Sequence, residues 1–287
     1  MKTRHVFAFL ALLGSLSLLS DIGRSSRPIG PRTIIVPSGA LRLTALLWTP
    51  AGSGPFPVVM FNHGRSDDGS HTGGLDFTAA AETLGPVFVR HGYSFLYLFR
   101  RGEGLSADQG AFIGDIVRRE EISNGEEARK RLQLVLMTTD HLDDVVAGLS
   151  LLKNVPEIDA NRIAIAGHSF GGQLALLAAE RDSTIRAVVT FAAAAGSWED
   201  SSELRERLLA AVRNVTVPIM LLQAENDYSV LPGTAMANEL SRLHKPHVLK
   251  IYPPVGRTPD DGHAAVYKAV DQWEDDVFRF LDTNLRH

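Results

Sequence analysis

Three polar residues in this 287-residue chain have the types and order needed to break an acyl bond: Ser169, Asp227 and His263. A serine hydroxyl is a weak nucleophile at neutral pH. A histidine that takes its proton during attack, and returns one to the leaving group, removes that handicap. A carboxylate behind the histidine fixes its tautomer and stabilises its cation. Ser169 stands in Gly167-His168-Ser169-Phe170-Gly171-Gly172, after the apolar run 163–166 and before the Ala/Leu-rich run 173–180. Strand, glycine-walled turn with serine at the tip, then helix is the setting of a nucleophile elbow. The pentapeptide alone is weak, because roughly one chain in ten of this length carries it by accident at average glycine usage. The setting gives it weight.

The elbow also supplies a backbone donor. A helix N-terminus aims N–H groups at whatever the serine attacks, so the Phe170 N–H is placed to hold an oxyanion. A second donor, the Arg65 N–H, comes from Asn62-His63-Gly64-Arg65 at the end of another apolar run. Asp227 ends a turn-like Glu-Asn-Asp after the run 218–223. His263 follows Asp260-Asp261-Gly262. Each of these groups sits just beyond a predicted strand, where the functional loops of a parallel sheet lie. His168 and His63 are weaker candidates for the base: the first should point away from the serine, and the second suits a packing role under the oxyanion loop. His63, Arg101 and Trp198 are expected to border the pocket, with a plain packing role for Trp198 equally compatible. Glu225 is expected to be a neighbour of the acid, and Asp260 and Asp261 to solvate the loop or cap a helix.

The elements that must position these residues alternate. A hairpin is predicted from strands at 33–36 and 41–49. Strands follow at 57–61, 93–99, 163–166, 185–195, 218–223 and 248–252. Helices are predicted at 77–91, with a break or kink at Gly85-Pro86, then at 119–137, 141–152, 201–212, 234–243 and 263–284, with 107–118 irregular. Strand–helix alternation predicts an α/β fold with a mostly parallel sheet and helices on both faces. The stretch 107–138 is a charged helical insertion. It either shapes or covers the acyl pocket or is simply a solvated helix.

Composition narrows the function. Hydrophobic residues make up 45% and charged residues 22%, as in ordinary globular domains. The net charge of −4, without a basic block, gives no footprint for nucleic acid. The chain has no cysteine, which excludes disulfides, thiolate metal sites and a cysteine nucleophile. His71 with Asp67, Asp68 and Asp76 is a weak metal set, better read as a solvated loop, so no metal is expected. Gly102-Glu103-Gly104 lacks the third glycine of a dinucleotide fingerprint. Lys2 and Arg4 before the uncharged run 6–20 resemble a signal peptide, too short for a comfortable membrane span. Residues 1–20 are therefore expected to be a signal peptide or anchor, 21–32 a flexible leader and 33–287 the domain. That implies a secreted or periplasmic protein with no stable span after processing.

The quoted residues also resemble the dienelactone hydrolase-like and prolyl-oligopeptidase-like branch of the α/β-hydrolases. The likeness runs from about residue 57 to the C-terminus. It rests on FNHGR (61–65), YLFRRGEGLS (97–106), IDANRIAIAGHSFGGQLAL (158–176), LLQAENDYSV (221–230) and DGH (261–263). The resemblance implies an α/β-hydrolase fold and hydrolysis of a small-molecule carboxylic ester, less often a peptide, without a cofactor. True dienelactone hydrolases use a cysteine nucleophile, so dienelactone itself is not the expected substrate here. The family's peptidases carry a large N-terminal propeller, which favours a stand-alone serine esterase. The alternatives are a peptidase or acyltransferase on the same triad, or a catalytically silent binding module.

Overall fold

The computed structural model describes residues 30–66 and 68–286. The expected signal peptide, most of the expected leader, and Asp67 lie outside the described residues. In chain order the elements are β1 (Arg32–Ser38), β2 (Leu41–Trp48), β3 (Phe56–Asn62), β4 (His71–Thr72), β5 (Leu75–Asp76), α1 (Phe77–Arg90), β6 (Ser94–Leu98), α2 (Ile113–Asn124), α3 (Glu126–Thr138), α4 (Asp140–Leu152), β7 (Ile158–His168), α5 (Phe170–Arg181), β8 (Ile185–Phe191), α6 (Ser202–Asn214), β9 (Ile219–Ala224), α7 (Leu231–Arg242), β10 (His247–Tyr252), α8 (Pro259–His263), α9 (Ala265–Lys268) and α10 (Val270–Leu285).

Eight strands form one sheet in the order β1-β2-β6-β3-β7-β8-β9-β10. The β1–β2 hairpin and the β2–β6 pair are antiparallel, and every other pair is parallel. The strand leading to Arg101 therefore lies outside the strand leading to His63, the reverse of chain order. Alternation along each inner strand explains why these runs read as continuously apolar. Val58, Met60, Ile163 and Ile165 face one core with Val145, Leu174, Leu208 and Met236 from the helices α4 to α7. Val59, Phe61, Ala164 and Ala166 face the other, with Leu84 and Phe88 of α1 and Trp273 and Val277 of α10. Both faces of the sheet are thus covered.

The observed elements depart from the expected ones in five places. Helix α1 runs unbroken through Pro86. Pro86 is exposed, so the carbonyl that loses its donor can turn to water. The predicted helix at 119–137 is two helices, because Gly125 at φ 85° ends α2 and starts α3. The strand predicted at 185–195 stops at Phe191, where Ala192 takes a positive φ of 56°. The closing helix is three pieces, and His263 is the last residue of α8 rather than the first of a long helix. The domain's first strand also begins at Arg32, inside the stretch expected to be leader.

Candidate active site

Ser169 is the hinge between β7 and α5, with φ 53° and ψ −117°. A non-glycine residue there is strained, and the surroundings must hold it. They do. Its own N–H donates to the Phe191 carbonyl of β8 at 2.8 Å. The glycines around it permit the approach. A Cβ on Gly167 would stand 2.2 Å from the Gly171 oxygen, and one on Gly171 only 2.0 Å from the Asn62 oxygen. The elbow is thus pressed against the end of β3, and the oxyanion loop begins at that contact.

Asp227 lies in the loop after β9, and its carboxylate is fully buried. Its Oδ1 accepts from the His263 Nδ1 at 2.8 Å and from the Tyr228 backbone N–H at 2.7 Å. That bond requires the proton on Nδ1, which leaves the His263 Nε2 lone pair open for a proton from elsewhere. The two loops touch directly: a Cβ on Gly262 would stand 2.6 Å from the Asn226 backbone. Asn226 reinforces the contact by donating to the carbonyls of Val255 and Thr258. The α8 turn is fixed by a capping box between Thr258 and Asp261. His263 is therefore presented by a stapled turn.

Ser169 and His263 line one cavity of about 830 Å³, a size that takes a small molecule. Arg65, Phe170, Tyr228 and residues of α3 line it too. Phe170 is the first residue of α5, so its N–H has no acceptor within the helix. Among the described residues the Arg65 N–H has no hydrogen-bond partner either. Of the five residues named from sequence for nucleophile, acid, base and oxyanion donors, Ser169, His263, Phe170 and Arg65 line this cavity, and Asp227 is bonded to His263.

The other expected pocket residues do not line it. His63 is fully buried behind the oxyanion loop, donating from Nδ1 to the Gly64 carbonyl at 2.8 Å. Burial, helped by the Arg100 charge, pulls its pKa well below the ordinary histidine value. Arg101 turns away from the cavity into a two-pronged pair with Asp144, at 2.9 and 2.7 Å, and also meets Asp140. It ties the end of β6 to α4. Trp198 is buried in the core beside α6, and its neighbours Ser197 and Glu199 face the cavity instead. His168 donates its Nε2–H to the His263 carbonyl at 2.8 Å. Burial, with the nearby His263 ring next, lowers its pKa to about 3, so it stays neutral. It is a strut for the candidate base.

Several cavity residues carried no sequence signal. The Tyr228 ring packs 4.7 Å from that of His263, and its hydroxyl donates to Asp260. Helix α3 of the charged insertion contributes Arg129, Lys130, Gln133, Leu134 and Met137 to the wall. Among the described residues no cluster of three or more His, Asp or Glu could hold a metal ion. No described helix is long and apolar enough to cross a membrane.

Comparison with known proteins places this geometry. The model of the dienelactone hydrolase family matches residues 106–283, well over half of the chain, and spans Ser169, Asp227 and His263. The chain belongs to the dienelactone hydrolase family. It is thereby a member of a hydrolase family on the α/β-hydrolase fold. The quorum-quenching protein AidA of Acinetobacter baumannii is 26% identical over 163 residues, 57% of this chain and 44% of that protein. The chain thus spans less than half the length of that relative. Among solved structures, the dienelactone hydrolase of Anabaena variabilis superposes with a TM-score of 0.61 at 19% identity, over 90% of this chain and all of that one. Est1E of Butyrivibrio proteoclasticus, bound to ferulic acid, gives 0.62 at 18% identity over 88% of this chain and all of that one. The acylaminoacyl peptidase of Pyrococcus horikoshii gives 0.63 at 18%, covering 92% of this chain but 43% of that one. At these identities the structural matches speak for the fold.

Proposed function

We propose that this chain is a serine hydrolase that cleaves carboxylic esters through an acyl-enzyme. The observation that carries the reading is the 2.8 Å bond between His263 Nδ1 and the buried Asp227 carboxylate, on the wall of the cavity that also holds the strained Ser169. His263 Nε2 takes the Ser169 proton as Oγ attacks the ester carbon. The carbonyl π electrons move to oxygen, and the N–H groups of Phe170 and Arg65 stabilise that oxyanion. Collapse expels the alcohol, which leaves with the proton from His263. Water then repeats the cycle and releases the acid. An ester is favoured over a peptide because the family is named for a lactone hydrolase. A lactone is itself an ester.

The same acyl-enzyme would serve a peptidase or an acyltransferase, since water, alcohol and amine all attack it. Secretion or a periplasmic home remains the expectation set by residues 1–20. The test is labelling by a fluorophosphonate probe, which needs an activated serine. Wild type should label and Ser169→Ala should not; labelling that survives this substitution would remove Ser169 from the reaction. A panel of p-nitrophenyl esters and peptide amides on the wild type then separates the acceptors.

A further inference from the structure

Arg100 bonds the carbonyl of the peptide that carries the Arg65 N–H, lies over the Phe170 ring, and is entirely inside the protein. Its side chain has no solvent exposure, nor does that of Glu103, its ion-pair partner at 3.1 Å. A buried guanidinium is costly unless its N–H groups find acceptors. Here Nη1 and Nη2 find backbone, while Nε is buried with no partner among the described residues. Arg100 Nη1 donates to the His63 carbonyl at 2.8 Å, and Nη2 donates to the Gly64 carbonyl at 3.1 Å. In the Nδ1–H tautomer the Gly64 oxygen also accepts from His63 Nδ1 and His63 Nε2 accepts the Arg100 backbone N–H at 3.4 Å, while Arg100 Nη2 lies 2.9 Å from that protonated Nδ1 without a bond between them. Glu103 reaches onward and accepts the Ser66 N–H through its other oxygen, at 3.4 Å.

This pattern fixes a direction. The Gly64–Arg65 peptide is trans, so its C=O and N–H point opposite ways. With the Gly64 oxygen clamped inward by Arg100 and His63, the Arg65 N–H must point outward, to the side where Arg65 borders the cavity. The same guanidinium lies over the Phe170 ring, 5.5 Å from its centre. Phe170 carries the second donor. A lysine could not do this, because a single ammonium cannot span the acceptors that the planar fork reaches.

We propose, on the serine-hydrolase reading above, that Arg100, buttressed by Glu103, is a positioning residue that locks the Gly64–Arg65 peptide with its N–H toward the oxyanion and ties it to Phe170. Arg100 touches no substrate. Its loss frees that peptide to rotate, which removes one of two donors while leaving Ser169, Asp227 and His263 in place.

The test compares Ki for an aryl trifluoromethyl ketone with KM for a p-nitrophenyl ester, in wild type and Arg100→Lys. Ser169 Oγ bonds to the ketone carbon, its proton passes to His263, and the carbonyl oxygen becomes an oxyanion in the same hole. Neither Ki nor KM depends on how much of the sample is folded, so a merely structural loss leaves both unchanged. The expected result is a Ki about 10²-fold higher with KM within about 3-fold, the loss of one such donor. Ki and KM rising together, or neither moving, would overturn the proposal. Should Arg100→Lys not fold, Glu103→Gln carries the same comparison: it keeps the acceptor for Ser66 but loosens the guanidinium. Its Ki should rise about 10-fold at constant KM, a share of the same donor loss. An unchanged Ki in that variant would equally overturn the role. If the wild type neither binds the ketone nor labels with a fluorophosphonate, the nucleophile reading itself fails, which is a different outcome from a wild type that binds and an Arg100→Lys that binds as well.

Discussion

The ring of His168 donates a hydrogen bond to the carbonyl oxygen of His263 at 2.8 Å, so the residue beside the candidate nucleophile holds the backbone of the candidate base. The two rings lie 4.8 Å apart. The elbow and the α8 turn, 95 residues apart in sequence, are thereby one unit. His168→Leu should remove the donor, strand a partly buried carbonyl and cost about 1–3 kcal/mol of stability. Ester turnover should fall with it. His168→Gln keeps a donor and should recover most of both. Thermal melting and kcat measured on the two variants check this; a Leu variant with wild-type kcat would show that the strut does not matter.

Asp227 fixes which nitrogen of His263 carries the proton. Asp227→Asn keeps the shape but presents an N–H where Nδ1–H now donates. The wrong tautomer should follow, with kcat lower by about 10⁴ and KM little changed, as in serine proteases. Steady-state kinetics at neutral pH reads this directly. A drop of less than about 10-fold would mean that another group orients His263.

Gly171 touches no expected substrate, yet Gly171→Ala should be among the most damaging small changes. Its new methyl would meet the Asn62 and His63 oxygens at 2.0 and 2.4 Å, both backbone atoms that cannot swing aside. The end of β3 and the start of α5 must part, at roughly 1–3 kcal/mol, typical of overpacking. The melting temperature should drop, and turnover should drop further, because the Phe170 and Arg65 N–H groups move apart. Differential scanning fluorimetry beside a rate assay separates the two losses.

Helix α3 should set the reach of the acyl pocket. Leu134 is half-buried on the cavity wall and packs against the core below. Leu134→Ala should enlarge that end, raising kcat/KM for octanoyl over acetyl p-nitrophenyl esters by roughly 10-fold, the worth of a few methylenes in a hydrophobic pocket. An unchanged ratio would return α3 to a solvated ornament of the fold.

Acid should weaken the fold before the carboxylates titrate. Burial lowers the pKa of His63, His141 and His168, the last to about 3. Each is neutral when folded but binds a proton below about 6.5 when unfolded. The unfolded state then holds more protons, so stability is complete above about pH 6.5 and declines as pH falls toward the folded values. Each histidine contributes a slope of up to about 1.4 kcal/mol per pH unit across that window. Glu103 works the other way, since burial raises its pKa, though Arg100 opposes that rise. Melting temperatures at pH 7, 6 and 5 should fall steeply, and a flat profile would contradict neutral burial of the three rings.

The parts of the site legible in sequence were those governed by local rules. The elbow was visible because its glycines, serine and flanking runs fall within about twenty residues, and a strained turn tolerates few residue types. Asp227 and His263 were visible because each follows a strand. The alternation of runs was enough for the sheet. Arg101 was misplaced for the opposite reason: its partner Asp144 is 43 residues away and nothing local announces it. Arg100, one residue earlier, looked no different in sequence, and only the β6–β3 pairing shows which of the two arginines turns under the oxyanion loop. Trp198, for which a pocket role and a packing role are equally compatible with the sequence, takes the packing role, and β8 ends at Phe191, four residues before the expected strand end.

The base hangs from the sheet's edge. Its loop leaves β10, the outermost strand, whose residues are only partly covered, whereas Ser169 leaves β7 in the buried middle. Nucleophile and base thus leave strands of unequal firmness, and the His168 bond to the His263 carbonyl is what fraying of the rim would have to break. Fraying of the rim would carry His263 off while the inner strands stay paired, and heat would then extinguish turnover at a temperature where circular dichroism still records an intact protein.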